Sequence, residues 1–372
     1  MSSRYGNRHK KLQEYKKQWE DKWYQNFWNE FVLKYEDKIN WEQLSANPNI
    51  TIDIIKKNPD KPWNWYWLSN NPNITMEFIK ENPDKLWGWD ALSDNPNITL
   101  TNIKENPDKP WDWFWLSNNP IITWEFVEAN PDKPWDWYWL SLNKNITMDI
   151  VKENPGKPWD WSALSYNPNI TMDIIKVNPD KPWNLYMLSQ NPNITLEIVK
   201  SNPDKPWDWK RLSRHSNITW EIVKSNPDKP WDWCWLSLTK NITMDIIKEN
   251  LDKPWDWDNL SCNPNITFEI VKKNPNKPWN WYCLSSNPNI TWEIVEANPD
   301  KPWNWDNLSN NQFKKGKDMF IEIKMREHMA AFKIQTYWRR SNYNPEYELC
   351  KKRLRREYEI IIKECKMIST EE

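Results

Sequence analysis

PWDWYWLSLNKNITMDIVKENPGK, residues 134–157, is the stretch whose reading decides the fold, because it recurs every 24 residues along most of the chain. Aligned on Trp135, the copies place tryptophan at Trp63, Trp87, Trp111, Trp159, Trp183, Trp207, Trp231, Trp255, Trp279 and Trp303 with no insertion. A second tryptophan two residues later begins at Trp41 and fails only at Leu185. A leucine three residues after that runs unbroken from Leu44 to Leu308. The chain therefore carries eleven complete units and an N-terminal half unit, the signature of a stacked repeat.

Each unit reads as two very short helices. Between the two tryptophans stands Asp, Asn or, once, Gly88, all residues that cap a helix N-terminus. Trp137 and Leu140 then share one helical face, and the following Asn-Pro elements end the helix, since the residue before proline avoids the helical region. A second helix starts at the recurrent threonine, Thr51 to Thr291, usually with an acidic residue in its first turn where the dipole favours it. Helices this short are unstable alone, so stacking must hold them. A β-solenoid would need alternation and glycine at its corners, and this chain has only 4 glycines. The expected fold is thus an all-α solenoid of 24-residue two-helix repeats, drawn out as a rod or superhelix on the order of 100 Å long. Helical caps would cover its two ends, giving segments 1–39, 40–311 and 312–372.

The unusual composition, 33 Trp and 29 Pro against 3 His, describes the repeat. The net charge of -1 hides a division: +3 over residues 1–40, +5 over 313–372, and an acidic repeat array between them. An acidic array is a poor surface for tracking phosphates, so nucleic acid is an unfavoured partner. Five cysteines without a CxxC pair argue against a disulfide framework or zinc ribbon. The polar N-terminus and lack of a long apolar run predict a soluble, intracellular, non-secreted protein without a membrane partner. Ten Asn-Ile-Thr triplets match the glycosylation pattern, but in that setting they read as structural turns.

The pattern NPNITxEIV with WxxLSxNP resembles the leucine-rich repeat variant family, whose units stack as alternating α and 3-10 helices; the double tryptophan and an iron-sulfur cysteine cluster lie outside that likeness. The chain as a whole is similar to Trp- and Asn-Pro-rich repeat proteins of giant DNA viruses of amoebae, down to AAFKIQTYWRRSNYNPEYELCKKRL at residues 330–354. That resemblance implies a viral source, in host cytoplasm or virion, and no particular activity. The tail also resembles the IQ motif that binds calmodulin-like proteins: Ile334, Gln335 and Arg339 match it, while Arg340 and Asn344 stand where it has Gly and Arg.

Catalysis needs an asymmetric constellation, which near-identical units do not supply, so neither an enzyme, a cofactor nor a metal site is expected. The NPDK turns read as solvated turns with an ion pair. The informative positions are the two between the second tryptophan and the leucine, which vary from Tyr66-Trp67 to Asp306-Asn307. They serve either size matching between layers or a ligand face, with Phe114, Trp115, Tyr138 and Trp139 as adjacent aromatic anchors of a protein-binding scaffold.

Overall fold

The computed structural model describes residues 2–368 apart from Ser216 and Pro345, with side chains described over 12–360 apart from those two and Tyr358. All regular structure in this range is helical, and it alternates as the repeat predicts. The unit around residue 137 shows how. The Asp136 carboxylate accepts from the Trp139 amide, starting the first helix, Trp137–Leu142. Asn143 then turns to extended backbone and ends it. Thr147 Oγ1 accepts from the Ile150 amide and starts the second helix, Met148–Glu153. Asn154 closes that helix with its own side chain, Nδ2 donating to the Ile150 carbonyl at 3.0 Å, while the next unit's Trp159 Nε1 donates to the Asn154 carbonyl at 2.9 Å. The helix-end carbonyls of Ile150 and Asn154, each already accepting one backbone amide, thus take a second bond from the repeat's own asparagine and tryptophan.

Neighbouring units are joined by polar as well as apolar contacts. Ser141 Oγ accepts from the Asp160 amide at 3.0 Å. Asn167 Nδ2 donates to the Ser141 and Asn143 carbonyls, both buried, and Asn169 reaches back to Lys144 and Ile146. The Asn-Ile-Thr asparagine is therefore a bond between layers. Trp137 meets Trp159 edge to face, with centroids 5.2 Å apart, and Lys157 lies over Trp137 at 5.8 Å. The lysine of the NPDK turn is thus a lid on the preceding unit's indole as well as an ion-pair partner, as for Lys181, which also pairs with Asp180 at 3.0 Å.

The same joint links the last unit to the first. The Asn40 amide donates to Ser309 Oγ at 2.9 Å, Asn47 Nδ2 to the Ser309 carbonyl at 2.8 Å, and Asn49 Nδ2 to the Gln312 carbonyl at 2.9 Å. Trp41–Ala46 packs beside Trp305–Asn310 as closely as any two consecutive first helices do. The amide-to-serine bond consequently recurs at all twelve joints, and the solenoid is a closed ring of twelve units. The expected rod is corrected by this closure: no end layer is left bare for a cap to cover.

The half unit is completed from the N-terminal side. Residues 28–33 stand 24 positions before the second helix Ile52–Lys57, and the π-helical turn Phe27–Val32 fills that outer place. Phe27 meets Trp292 at 6.2 Å, Phe31 stacks on Trp305 at 6.2 Å, and Trp28 stacks on Trp63 at 5.7 Å. Lys34 pairs with Glu296 on one side of the seam and Glu36 with Lys61 on the other. Phe313 holds a positive φ of 46°, which carries the chain out of the repeat while its fully buried ring packs on Phe31 at 4.8 Å. Spacings of three and four from Leu12 to Tyr35 predict a single amphipathic helix, and the structure splits it into α-helix Ser2–Asn26 and the turn that belongs to the ring.

Close helix packing within the ring runs between first helices, whereas successive second helices are spread apart. The first helices therefore form the shorter circumference, the inner wall, on a circle about 35 Å across between axes if neighbours sit ~9 Å apart. With layers ~8–10 Å apart, twelve-fold closure makes the outer spacing about 4–5 Å wider per unit than the inner. The indole pair fills that wedge. Size, rigidity and edge-to-face geometry suit tryptophan to the task better than any aliphatic residue.

The chain divides into two compact units, the ring Tyr24–Gly316 and a second unit of Met1–Trp23 with Lys317–Glu372. The boundaries expected at 39/40 and 311/312 move outward because the seam recruits the flanking residues. In the second unit Tyr15 and Trp19 pack on His328, and Trp23 on Phe320. Helix Lys314–Tyr343 is followed by Glu348–Ile368; in sequence Asn344-Pro345 predicts an N-cap and a first helical residue, of which Pro345 lies outside the described residues, and the Asn344 side chain accepts from the Glu346 amide. No helix among the described residues is long and apolar enough to cross a membrane.

Candidate functional site: the inner wall of the ring

A first helix buries one side and leaves the other free. In Trp65–Leu68 and the residues after it, Leu68 and Ser69 point into the ring body, and Tyr66, Trp67 and Asn70 fall on the opposite side at helical spacing. Three positions per unit therefore line the inner wall. The two variable positions of the sequence are the first two of these, and the third follows the Leu-Ser pair. Exposure settles their role: Phe114 is 43% exposed, Trp115 38%, Tyr138 38% and Tyr282 61%, so the pairs are a surface and not interlayer core, with buried Ala163 the exception.

Phe114, Trp115, Tyr138 and Trp139 come together across one joint. Phe114 lies 5.7 Å from Trp139 and 5.4 Å from Trp115, and Tyr138 lies 5.5 Å from Trp139, all edge to face. Farther along the wall Tyr166, Tyr186 and Trp235 continue the aromatic arc. Before it, Tyr66 lies across Gly88 and donates to Asp90 at 2.6 Å; a Cβ at position 88 would meet the Tyr66 ring at 2.7 Å, so a larger residue there would push that ring aside. The Asp90 carboxylate beside it raises the Tyr66 phenol above its usual range.

Charge is unevenly spread on this wall. Acidic residues occupy inner positions at Glu42, Asp90, Asp94, Asp258 and Asp306. Basic residues occupy them in one unit alone, which is basic at all three: Lys210, Arg211 and Arg214. The Arg211 guanidinium lies over the Tyr186 ring at 3.1 Å and that of Arg214 over Trp235 at 3.9 Å. Arg211 Nε stands 3.8 Å from the Asp208 carboxylate and makes no hydrogen bond. Partial burial, with the Arg214 charge adding to it, pulls the Arg211 pKa below the ordinary guanidinium value. Sequence reading missed this unit because Arg214 lies beyond the leucine; the signal was that the residue after Leu-Ser varies as freely as the pair before it.

Cys262 and Cys283 face each other on adjoining units, and burial together with the neighbouring thiol pushes Cys262 up to about 12. Among the described residues no group of three or more His, Cys, Asp or Glu side chains is arranged to hold a metal ion. In the other unit Ile334, Gln335, Arg339 and Arg340 are exposed on helix Lys314–Tyr343, and Ile334 shares an open face with Trp338 one turn on.

Comparison with protein-family models, with curated proteins and with solved structures finds no match to this chain.

Proposed function

We propose that the protein is a non-enzymatic, ring-shaped scaffold that binds a protein partner along its inner wall. The observation that carries this reading is the row of exposed aromatic side chains in positions the repeat leaves free to vary, since a surface of half-exposed Tyr, Trp and Phe is what hot spots at protein interfaces are made of. On the viral resemblance drawn from the sequence, its setting is the cytoplasm of an infected host or the virion. The test is affinity capture from infected cells with the full chain and with the Phe114→Ala, Trp115→Ala, Tyr138→Ala, Trp139→Ala variant. Partners lost by the variant, at unchanged thermal stability, support the reading; retention of every partner overturns it.

A second reading is favoured by the open Ile334–Trp338 face: a regulatory adaptor that recruits a calmodulin-like protein through helix Lys314–Tyr343. Titration of the full chain with calmodulin, with and without Ca²⁺, tests it against the Ile334→Ala, Trp338→Ala variant. No binding at tens of micromolar removes it.

A further inference from the structure

The basic unit of the inner wall carries an inference about what the ring holds. We infer that Lys210, Arg211 and Arg214 form an oxyanion-recognition site, and that the partner presents to it an acidic group of an extended protein segment. This rests on the reading of the inner wall as a protein-binding surface and names the chemistry of the partner.

Three observations converge. Basic side chains fill all three inner positions of one unit and of no other, although the ring as a whole is acidic. Among the described residues neither Lys210 nor Arg214 is in an ion pair, and Arg211 has only the distant Asp208 carboxylate, which is already accepting from the Arg211 amide at 3.1 Å. Both guanidiniums lie over aromatic rings, Arg211 at 3.1 Å from the Tyr186 centroid and Arg214 at 3.9 Å from that of Trp235, which narrows their freedom before an acceptor arrives. The Arg211 and Arg214 charges repel each other, Asp208 offsetting this only at 3.8 Å, and an oxyanion lowers that repulsion by accepting forked hydrogen bonds.

Surroundings select the rest of the partner. Glu42, Asp90, Asp94, Asp258 and Asp306 repel an acidic segment elsewhere on the wall, so the basic unit sets its register. From Arg211 back to the Phe114–Trp139 cluster the wall runs about three units, ~27 Å, or roughly eight residues of extended chain. The fitting occupant therefore has an apolar or aromatic residue about eight positions from an acidic one. That acidic residue is a glutamate, an aspartate or a phosphorylated serine, which share the oxyanion.

The experiment is fluorescence anisotropy of the full chain with two labelled peptides, each bearing a tryptophan at one end of a Gly-Ser spacer. One ends in paired glutamates and the other in phosphoserine. Both should bind at low salt, and Arg211→Gln with Arg214→Gln should weaken binding at least ten-fold. The Arg211→Lys, Arg214→Lys variant should lose part of the affinity, since lysine keeps charge without the fork. Tighter binding of the phosphoserine peptide assigns a phosphorylated partner, and tighter binding of the glutamate peptide an acidic one. Unchanged affinity in the Gln variant, or no binding by either peptide, overturns the site. Should the double Gln variant melt early, Lys210→Gln with Arg214→Gln, both on exposed residues, makes the same test. Captured partners that survive the Gln variant but not the aromatic one would sink this site while leaving the scaffold reading standing.

Discussion

The backbone amide of Asn40 donates to the hydroxyl of Ser309 across 269 residues of sequence, in the same geometry by which Asp160 donates to Ser141 across 19. The seam thus repeats the hydrogen bond of an interior joint, without the covalent link and with Phe31 and Tyr35 against Trp305 in place of a second indole. Asn47 is fully buried in it, donating to the Ser309 and Asn311 carbonyls. Asn191 does the same to Ser165 and Asn167 inside the array. Asn47→Ala and Asn191→Ala should each cost about 1–3 kcal/mol, since each leaves a buried serine carbonyl, that of Ser309 or of Ser165, without its donor. Denaturant melts of the two variants should nearly coincide; an innocuous Asn47→Ala would mean the ring is open in solution.

His215 replaces the asparagine of this ladder, and its Nε2 donates to the buried Ser189 carbonyl at 2.8 Å. Burial lowers its pKa, outweighing the raising effect of the carbonyls of Ser189 and Ile194. The folded ring stays neutral at a pH where the unfolded one, near 6.5, gains a proton, so stability falls as pH drops below about 6.5. His215→Asn should abolish this contribution. Melting temperatures between about pH 7 and 5 should fall less steeply for the variant than for the parent chain.

Leu185 stands where eleven other units have tryptophan, leaving Trp207 without the edge-to-face partner that Trp231 finds in Trp209 at 5.2 Å. Restoring the pair with Leu185→Trp should stabilise the ring by about 0.5–1.5 kcal/mol. The midpoint of urea unfolding is the measure, and a lowered midpoint would show that the wedge at this joint has closed around leucine.

Cys262, whose burial and neighbouring Cys283 thiol keep it protonated well above the ordinary thiol range, should alkylate slowly. Iodoacetamide at mildly alkaline pH, read by peptide mass spectrometry, should leave Cys262 unmodified long after an unfolded control has reacted. Replacing Cys283 by serine should speed its modification by removing the neighbouring thiol.

Much of this architecture is legible in residues alone. Asp136, Thr147 and Asn154 announce where helices begin and end because capping is local chemistry. Ring closure is not local. It comes from a turn of about 30° per unit, repeated twelve times, and that angle is set by how far the Trp137–Trp159 pair props the outer layer apart. Leu44 and Leu308 lie a whole number of repeats apart, as they would in an open array too, so the spacing itself did not announce closure. The inner wall was half legible: variability marked Phe114 to Trp139 as special, while their exposure, and the membership of Arg214, needed the helix to be seen in place.

Closure also alters how this molecule comes into being and comes apart. A linear array of repeats can fray from either terminus, layer by layer, and can begin to fold from whatever portion has been synthesised. Here the first unit waits for the last: Asn40 finds Ser309 only after nearly the entire ring has been made, so a single joint of very high sequence separation completes eleven joints of low separation. Once shut, the array offers no terminal layer from which to peel. Loss of structure must begin with the rupture of a complete joint, which makes the ring's lifetime a property of its weakest joint.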